Sequence, residues 1–348
     1  MTPIRLCRYV YLCSKKMYAT SAHLLHAVAA ARPRLLALTE AEAAAHPTPG
    51  KWSPKEIIGH LIDSAANNHQ RFVRAQQGDT ELSAYRYAQE FWVKSQDYQA
   101  ADWGNLVALW YAYNTHLAHV VARIRPEFLD TPLSVWGDEP VTLRYVAQDY
   151  VRHLQHHLGQ IFTEKQATHP GGAPLREPRF LLKKLGHDDL ALLQYVGRAT
   201  YEPYYPHFWH PGGVDWYMDR CFGADVLRQD FADPNVAYYL ATSTDGQIVG
   251  FLKLVLKKSV PDGSIANALY LEKIYLMPDW FGKGAGQQLI EWVMEQATAL
   301  GREAVWLYVM KTGPYRAYER AGFRIVGETR FEFDLLKEEL QGAWLMVR

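Results

Sequence analysis

Residues Asp279–Leu289 read DWFGKGAGQQL and continue as IEWVMEQATAL, a glycine-rich turn that enters a helix. Glycine lets a backbone approach a ligand closely, and the helix that follows presents unpaired N–H groups and the positive end of its dipole, so the stretch suits a phosphate or pyrophosphate. A Walker loop needs four residues between its glycines and a GK[ST] ending, and Gly282-Lys283-Gly284-Ala285-Gly286-Gln287 has neither. A dinucleotide fingerprint needs G-x-G-x-x-G after the first strand of a βαβ unit. Here the glycines read G-x-G-x-G deep in the chain, with no acidic residue ending a second strand about twenty residues on.

Outward from this loop lie the strand LYLEKIYLMP before it and, after its helix, the strand AVWLYVM and a short helix ending YERAGF. Apolar or alternating strands are expected over Phe180–Leu185, Val236–Thr242, Gln247–Leu256, Leu269–Met277, Ala304–Val309, Phe323–Glu328 and Ala343–Val347, with helical segments between several of them. Ser243-Thr244-Asp245-Gly246 reads as a hairpin turn. Hairpins combined with crossover helices predict an α+β domain on a mixed sheet.

The first half has a different grammar. Ser53-Pro54-Lys55-Glu56 is a capping box with proline at the first helical position, so a helix is expected from there, with Ile57, Leu61 and Ala65 on one stripe. Segments Ala22–Ala45, Asn105–Ile124 and Thr142–Lys165 complete an all-α four-helix bundle. A proline- and glycine-rich stretch, His169-Pro170-Gly171-Gly172-Ala173-Pro174, then reads as a linker. The domains expected are 17–168 and 180–348, joined by 169–179.

A chain of 348 residues also exceeds the roughly 100–200 residues of one domain. Lys+Arg and Asp+Glu both total 37, so there is no basic field for nucleic acid or an anionic membrane, and partners must be sought in sites. The most apolar long stretch, Leu106 to Ile124, contains Asn114, His116, His119 and Arg123 and reads as a soluble helix rather than a membrane span. Cys7, Cys13 and Cys221 are too few and too unevenly placed for a disulfide framework, which fits a reducing, cytoplasmic setting. Residues 1–16 are basic and lack acids. No small-residue cleavage site follows them, so Met17 is read as an alternative start rather than the end of a targeting segment.

The order of elements in the second half resembles the GNAT N-acetyltransferases, and within them the PaiA type of polyamine acetyltransferase. The family pattern [QR]-x-x-G-x-[GA] after the fourth strand is met by Gly282, Gly284 and Gly286, and the later FYxxxGF pattern by Ala317 to Phe323. The resemblance implies that acetyl-CoA binds through the amides of Gly282, Lys283, Gly284, Ala285, Gly286 and Gln287. The developing oxyanion needs a donor, and the strand bearing Tyr275, Leu276 and Met277 is expected to offer a backbone N–H where it splays from the next strand. Tyr318 occupies the place of the family's general acid for the departing thiolate. The acceptor implied is a small, polyamine-like amine, and a second copy of the chain is a candidate partner. Phe281 replaces the usual Gln or Arg, and Lys311 with Pro314 replaces the usual Asn and Ala, so side-chain contacts to the cofactor are expected to differ while backbone contacts persist.

An alkylammonium with a pKa near ~10.4 must lose its proton before it can attack a thioester. Glu272, mid-strand, is the candidate base, directly or through water. Tyr201, Tyr204, Tyr205, Phe208 and Trp209 are candidates to wall a cationic amine through their ring faces. No cysteine is expected to lie near the loop or Tyr318, so direct transfer without an acetyl-enzyme is expected.

In RHLQHHLGQ, His153 and His157 are four residues apart and leave one helix face together, so they can share a cation. A third ligand can come from His60, inside the capped helix. The combination W-S-x-x-E-x-x-x-H-L-x-D at Trp52–Asp63 with H-x-x-x-H-x-x-Q at His153–Gln160 resembles the DinB-like four-helix metalloproteins, which implies a divalent metal, zinc or nickel, held by these three histidines. Three imidazoles leave a position for water, thiol or substrate. Asp63 and Asp149 are candidates to orient the ligands. The alternative reading of function is a metal-dependent thiol transferase in the helical half, with the second half only binding CoA.

Overall fold

The computed structural model describes residues 17–82, 87–135, 139–162 and 180–348. The linker expected at 169–179, the boundary at 168 and the reading of residues 1–16 lie outside them. The chain folds as two compact units that divide between residues 162 and 180.

The first unit is helical: α1 Tyr18–Leu36, α2 Glu40–Ala44, α3 Pro54–Ala75, α4 Gln89–Ser95, α5 Trp103–Ala122 and α6 Leu143–Ile161, with a two-stranded ribbon of β1 Pro132–Leu133 and β2 Val141–Thr142. The helix expected over Ala22–Ala45 is instead two. Thr39 accepts from the Glu42 amide and Glu42 reaches back to the Thr39 amide, so a second capping box restarts the chain as α2. The box at Ser53 starts α3 as expected. α3 and α1 each pack against α5 and α6. Along α3, Ile57, Leu61 and Ala65 are buried, and so are His60, Asp63, Ser64, Asn68 and Arg71. A helix that carries so many polar side chains inward is spending burial on a site rather than on a core.

The second unit is a seven-stranded sheet with helices: β3 Phe180–Lys184, α7 Leu190–Tyr201, α8 Gly213–Phe222, α9 Ala224–Ala232, β4 Val236–Ser243, β5 Ile248–Val255, β6 Ala268–Leu276, α10 Ala285–Ala299, β7 Ala304–Met310, α11 Tyr315–Arg320, β8 Arg324–Arg330 and β9 Gly342–Val347. The strand order is β3-β4-β5-β6-β7-β9-β8, antiparallel throughout except for β6 beside β7, which the α10 crossover joins in parallel. Leu289, Ile290, Val293 and Ala297 of α10 pack on Leu269, Leu271, Val305 and Leu307 to form the main core. Each strand expected from the sequence is present within one or two residues.

Two irregularities shape the sheet. β6 and β7 pair only from Ala268–Tyr270 against Ala304–Trp306, so their later halves diverge. On the other edge of β6, Lys253 lies opposite Lys273 and Leu254 opposite Leu271, which leaves Glu272 as the extra residue of a β-bulge.

Candidate active site and metal centre

The divergence of β6 from β7 exposes backbone groups. Met277 N–H donates to the Val249 carbonyl at 2.8 Å. Amides alternate in direction along a strand, so the Leu276 N–H points the other way, toward β7, where the pairing has already ended. Among the residues expected at the oxyanion, Leu276 has its amide directed into the divergence, and the amide of Met277 is consumed by the sheet. Gly250 allows the close approach: a Cβ there would stand 2.1 Å from the Tyr275 carbonyl oxygen.

The glycine loop follows. Gly282 and Gly284 have φ of 71° and 80°, left-handed values that favour glycine. Gly284 caps α10. Among the described residues, none of the amides from Gly282 to Gln287 finds an acceptor in the protein, and the adjacent dipole end favours an anion there. The side chains that depart from the family pattern are engaged elsewhere. Phe281 packs on Tyr204 with centroids 4.9 Å apart, and Lys311 pairs with Glu328 and lies 4.2 Å above the Trp344 ring.

A cavity of about 950 Å³ is walled by Ile274 and Tyr275 of β6, Leu307–Met310 of β7, Tyr318 of α11 and, from the end of α7 and the turn after it, Tyr201, Tyr205, Phe208 and Trp209. Four of the five expected aromatics thus wall it, while Tyr204 packs on the loop. Burial pushes the Tyr318 hydroxyl well above its ordinary pKa, so it keeps its proton. Glu272 also lines the cavity. Its Oε1 lies 2.8 Å from Lys273 Nζ and 3.1 Å from Lys253 Nζ, and Lys253 reaches Asp230 at 2.8 Å. Burial alone would raise the Glu272 carboxyl, but the Lys273 and Lys253 ammoniums outweigh it and hold it below the usual range. Glu272 is anionic at neutral pH and a weak base. The two lysines were not anticipated, although a lysine in the middle of each apolar strand, in VGFLKLV and LEKIYL, was the available signal. Cys221 of α8 lines the same cavity as Tyr318, contrary to the expectation that no cysteine stands near.

In the helical unit, His60, His153 and His157 each offer a ring nitrogen within 4.8 Å of the others. His60 Nε2 and His153 Nε2 are 3.2 Å apart, against the roughly 3.3 Å that two imidazole nitrogens span on one tetrahedral zinc. The Nδ1 atoms face outward to fixed oxygens: Tyr87 Oη at 3.5 Å from His60, Ser64 Oγ at 3.5 Å from His153 and Gln160 Oε1 at 3.0 Å from His157. That arrangement aims the Nε2 lone pairs inward. Trp52 packs on His60 at 5.0 Å. Burial, then the neighbouring histidines, push His60 down to about 3 and His153 to about 4, and His157 is lowered as well. All three are neutral, the form a metal requires, so the residues fit a divalent ion. The expected orienting role of Asp63 does not hold. Its Oδ1 accepts from Gln96 Nε2 at 2.8 Å and Tyr98 Oη at 2.7 Å, away from the histidines. Asp149 pairs with Arg152 at 3.0 Å and shares a small cavity with His153. Among the described residues no helix is long and apolar enough to cross a membrane.

Comparison with known proteins agrees with this division. The model of the DinB superfamily matches residues 23–161, and that of the acetyltransferase (GNAT) family matches residues 198–323. An uncharacterized N-acetyltransferase of the pepI 3′ region in Lactobacillus delbrueckii subsp. lactis is 25% identical over 126 residues, 36% of this chain and 72% of its own. An uncharacterized N-acetyltransferase of Mycobacterium tuberculosis is 28% identical over 140 residues, 40% of this chain and 83% of its own. The crystal structure of the PaiA N-acetyltransferase from Thermoplasma acidophilum in complex with coenzyme A is 18% identical, with a TM-score of 0.39, covering 49% of this chain and 98% of that one. Residues 23–161 of the chain thus belong to the DinB superfamily, and residues 198–323 to an N-acetyltransferase domain of the GNAT family.

Proposed function

We propose that the C-terminal unit transfers an acetyl group from acetyl-CoA directly to the amine of a small molecule. The observation that carries this reading is a single cavity that joins both sides of the β6–β7 divergence to Glu272, Tyr318 and an aromatic wall. The amine nitrogen attacks the thioester carbon, the Leu276 N–H takes the developing oxyanion, the C–S bond breaks, and Tyr318 gives a proton to the leaving sulfur. The ammonium proton leaves through Glu272, directly or through water. Glu272 is a weak base, so it passes the proton outward rather than keeping it. The pyrophosphate rests on the free amides of Gly282–Gln287. A polyamine-like acceptor, the expectation from the sequence, is one member of the small-amine class, and its further ammoniums would need carboxylates in the cavity.

Calorimetric titration of acetyl-CoA tests the reading. Saturable binding is expected in the parent chain and loss of it in Gly284→Glu, whose charge would enter the phosphate position. Binding that survives the substitution removes the loop from the site. Cys221 adds a second test, because an acetyl group trapped on it would overturn direct transfer.

We propose further that His60, His153 and His157 hold a divalent ion, zinc or nickel, with a coordination position left open. When bound, such an ion supplies Lewis-acid activation of a ligand in that position. The rival reading, a metal-dependent thiol transferase in this unit, is favoured by one observation. A cavity of about 200 Å³ lined by Ser64, Asn68, Tyr87 and Gln89 lies against His153, leaving room for a ligand beside the histidines. Metal content of the purified chain, compared with that of a His153→Ala, His157→Ala variant, decides whether the site loads. Equal content in both would sink it.

A further inference from the structure

The acceptor's charge can be read from the ion pairs around the cavity. Two carboxylates line it, and both are already engaged: Glu272 by Lys273 and Lys253, and Asp219 by Arg198 at 3.4 Å. Of the four cations that line it, Lys253 and Lys273 are paired with Glu272, and among the described residues the other two, Arg220 and Lys258, have no carboxylate within ion-pair distance. Arg220 of α8 lies with its guanidinium carbon 5.4 Å from the Trp216 ring and 5.2 Å from the Phe333 ring, and Lys258 Nζ lies 4.4 Å from the Tyr270 ring. The rings of Trp216, Phe333 and Tyr270 are thus already faced by the protein's own cations. A polyamine entering here meets no unclaimed carboxylate, whereas a carboxylate meets a guanidinium fork held in place by two rings.

We infer that the acceptor is an amine that also carries a carboxylate, of the amino-acid class, and that Arg220 is the residue that seats that carboxylate. This rests on the acetyltransferase reading of the same cavity. Lys258, the second unpaired cation, adds to the potential that draws an anionic group in. The reaction is unchanged: the amine nitrogen gains the acetyl group and loses a proton, and CoA leaves as the thiol. Only the remote end of the acceptor differs, and binding energy there positions the amine.

Matched pairs of amines that differ only by a carboxylate give the test: lysine against cadaverine, ornithine against putrescine, and phenylalanine against phenethylamine. Each is assayed for CoA release with the full chain and with Arg220→Gln. Arg220 is exposed, so the substitution leaves folding intact. A charge-assisted fork implies that kcat/KM favours the carboxylate member by about tenfold or more. In Arg220→Gln that preference should collapse through the carboxylate member alone, with the decarboxylated member unchanged. Faster turnover of cadaverine, putrescine or phenethylamine in the parent overturns the inference and leaves the acetyltransferase reading standing. A preference that persists in Arg220→Gln overturns the assignment of Arg220. If no pair reacts the inference falls, and calorimetry with acetyl-CoA then shows whether the acetyltransferase reading falls with it.

Discussion

Replacing Glu272 by glutamine removes the charge at the centre of the Lys253–Glu272–Lys273 cluster and keeps its shape. The Lys273 side chain is 10% exposed and Glu272 23%. Lys253 retains Asp230 at 2.8 Å, so Lys273 is the cation left without a carboxylate. Removing one partner of a fully buried pair costs roughly 3–5 kcal/mol. The partial exposure of Glu272 and the surviving Lys253–Asp230 pair reduce this to about 2 kcal/mol. For a domain of this size that is a fall of about 4–8 °C in Tm. The sign with pH follows from the depressed carboxyl. Glu272 contributes its stability above the ordinary carboxylate pKa and loses it as pH falls through its lower folded value. The difference between parent and Glu272→Gln should thus be full at pH 7 and shrink below about pH 4. The double variant Glu272→Gln, Lys273→Met, which removes the orphaned cation, should recover much of the loss. Differential scanning calorimetry of the parent and these two variants measures this. A single variant within 1 °C of the parent (about 0.5 kcal/mol or less) would refute the coupling. Turnover should fall by about 100-fold if the carboxylate relays the proton, without moving the acidic limb of the kcat/KM profile. A limb near neutrality that disappears in Glu272→Gln would instead give Glu272 a raised pKa, against its two lysines.

Tyr318→Phe should lower kcat by about 100-fold and leave acetyl-CoA affinity unchanged, read by steady-state kinetics beside calorimetry, because the neutral hydroxyl acts only as sulfur departs. Unchanged kcat would remove it from the mechanism. Gly250→Ala places a Cβ 2.1 Å from the Tyr275 oxygen and 2.9 Å from Leu276 Cα, both backbone; it should cost about 2–3 kcal/mol by denaturant titration and reduce kcat by displacing the Leu276 amide. His60 at about 3 and His153 at about 4 should stay neutral at pH 5.5, where an ordinary imidazole of pKa ~6.5 is mostly charged. Metal content after dialysis at pH 5.5 should match that at pH 7.5, and release on passing pH 6.5 would show that burial does not hold these rings neutral. The metal-free fold, by the same linkage, loses stability as pH falls from about 6.5 toward 4, because only the unfolded histidines take up protons there.

Local chemistry was legible where a short pattern has one structural outcome. Ser53-Pro54-Lys55-Glu56 started a helix, Ser243–Gly246 joined a hairpin, and histidines four apart shared a face with His60 opposite. The same rule was available and unread at Thr39-Glu40-Ala41-Glu42, whose capping box splits the first helix. Partnerships between distant residues were not legible. Asp63 stands one turn from His60 in the sequence, yet Tyr98 and Gln96, more than thirty residues on, decide where it points. Cys221 is far from Tyr318 along the chain, and only the placing of α8 brings both to one cavity.

Glu272 lies between these cases, because its bulge is written in the strand. A strand of strict period two that buries Leu269 and Leu271 would next bury Lys273 and Tyr275. The core instead takes Leu269, Leu271, Ile274 and Leu276, a step of three in a sequence of twos. One extra residue must therefore sit between Leu271 and Ile274, and the two positions inside that step are Glu272 and Lys273. The bulge turns both toward the face of Tyr270 and Tyr275, where they meet at 2.8 Å and line the cavity. It also restores the register in which Leu276 directs its amide toward β7 and Met277 directs its own to Val249. If Glu272 were held in strict alternation instead of a bulge, every side chain beyond it would change face: Tyr275 would enter the core, and the Leu276 amide would turn into the β5 pairing. The carboxylate, its lysine and the free N–H at the divergence are thus three consequences of one inserted residue. Deleting Glu272 should accordingly leave β6 a regular strand on β5, with Leu271 and Lys273 still opposite Leu254 and Lys253 and the core faces kept, so the loss should fall on turnover rather than on folding.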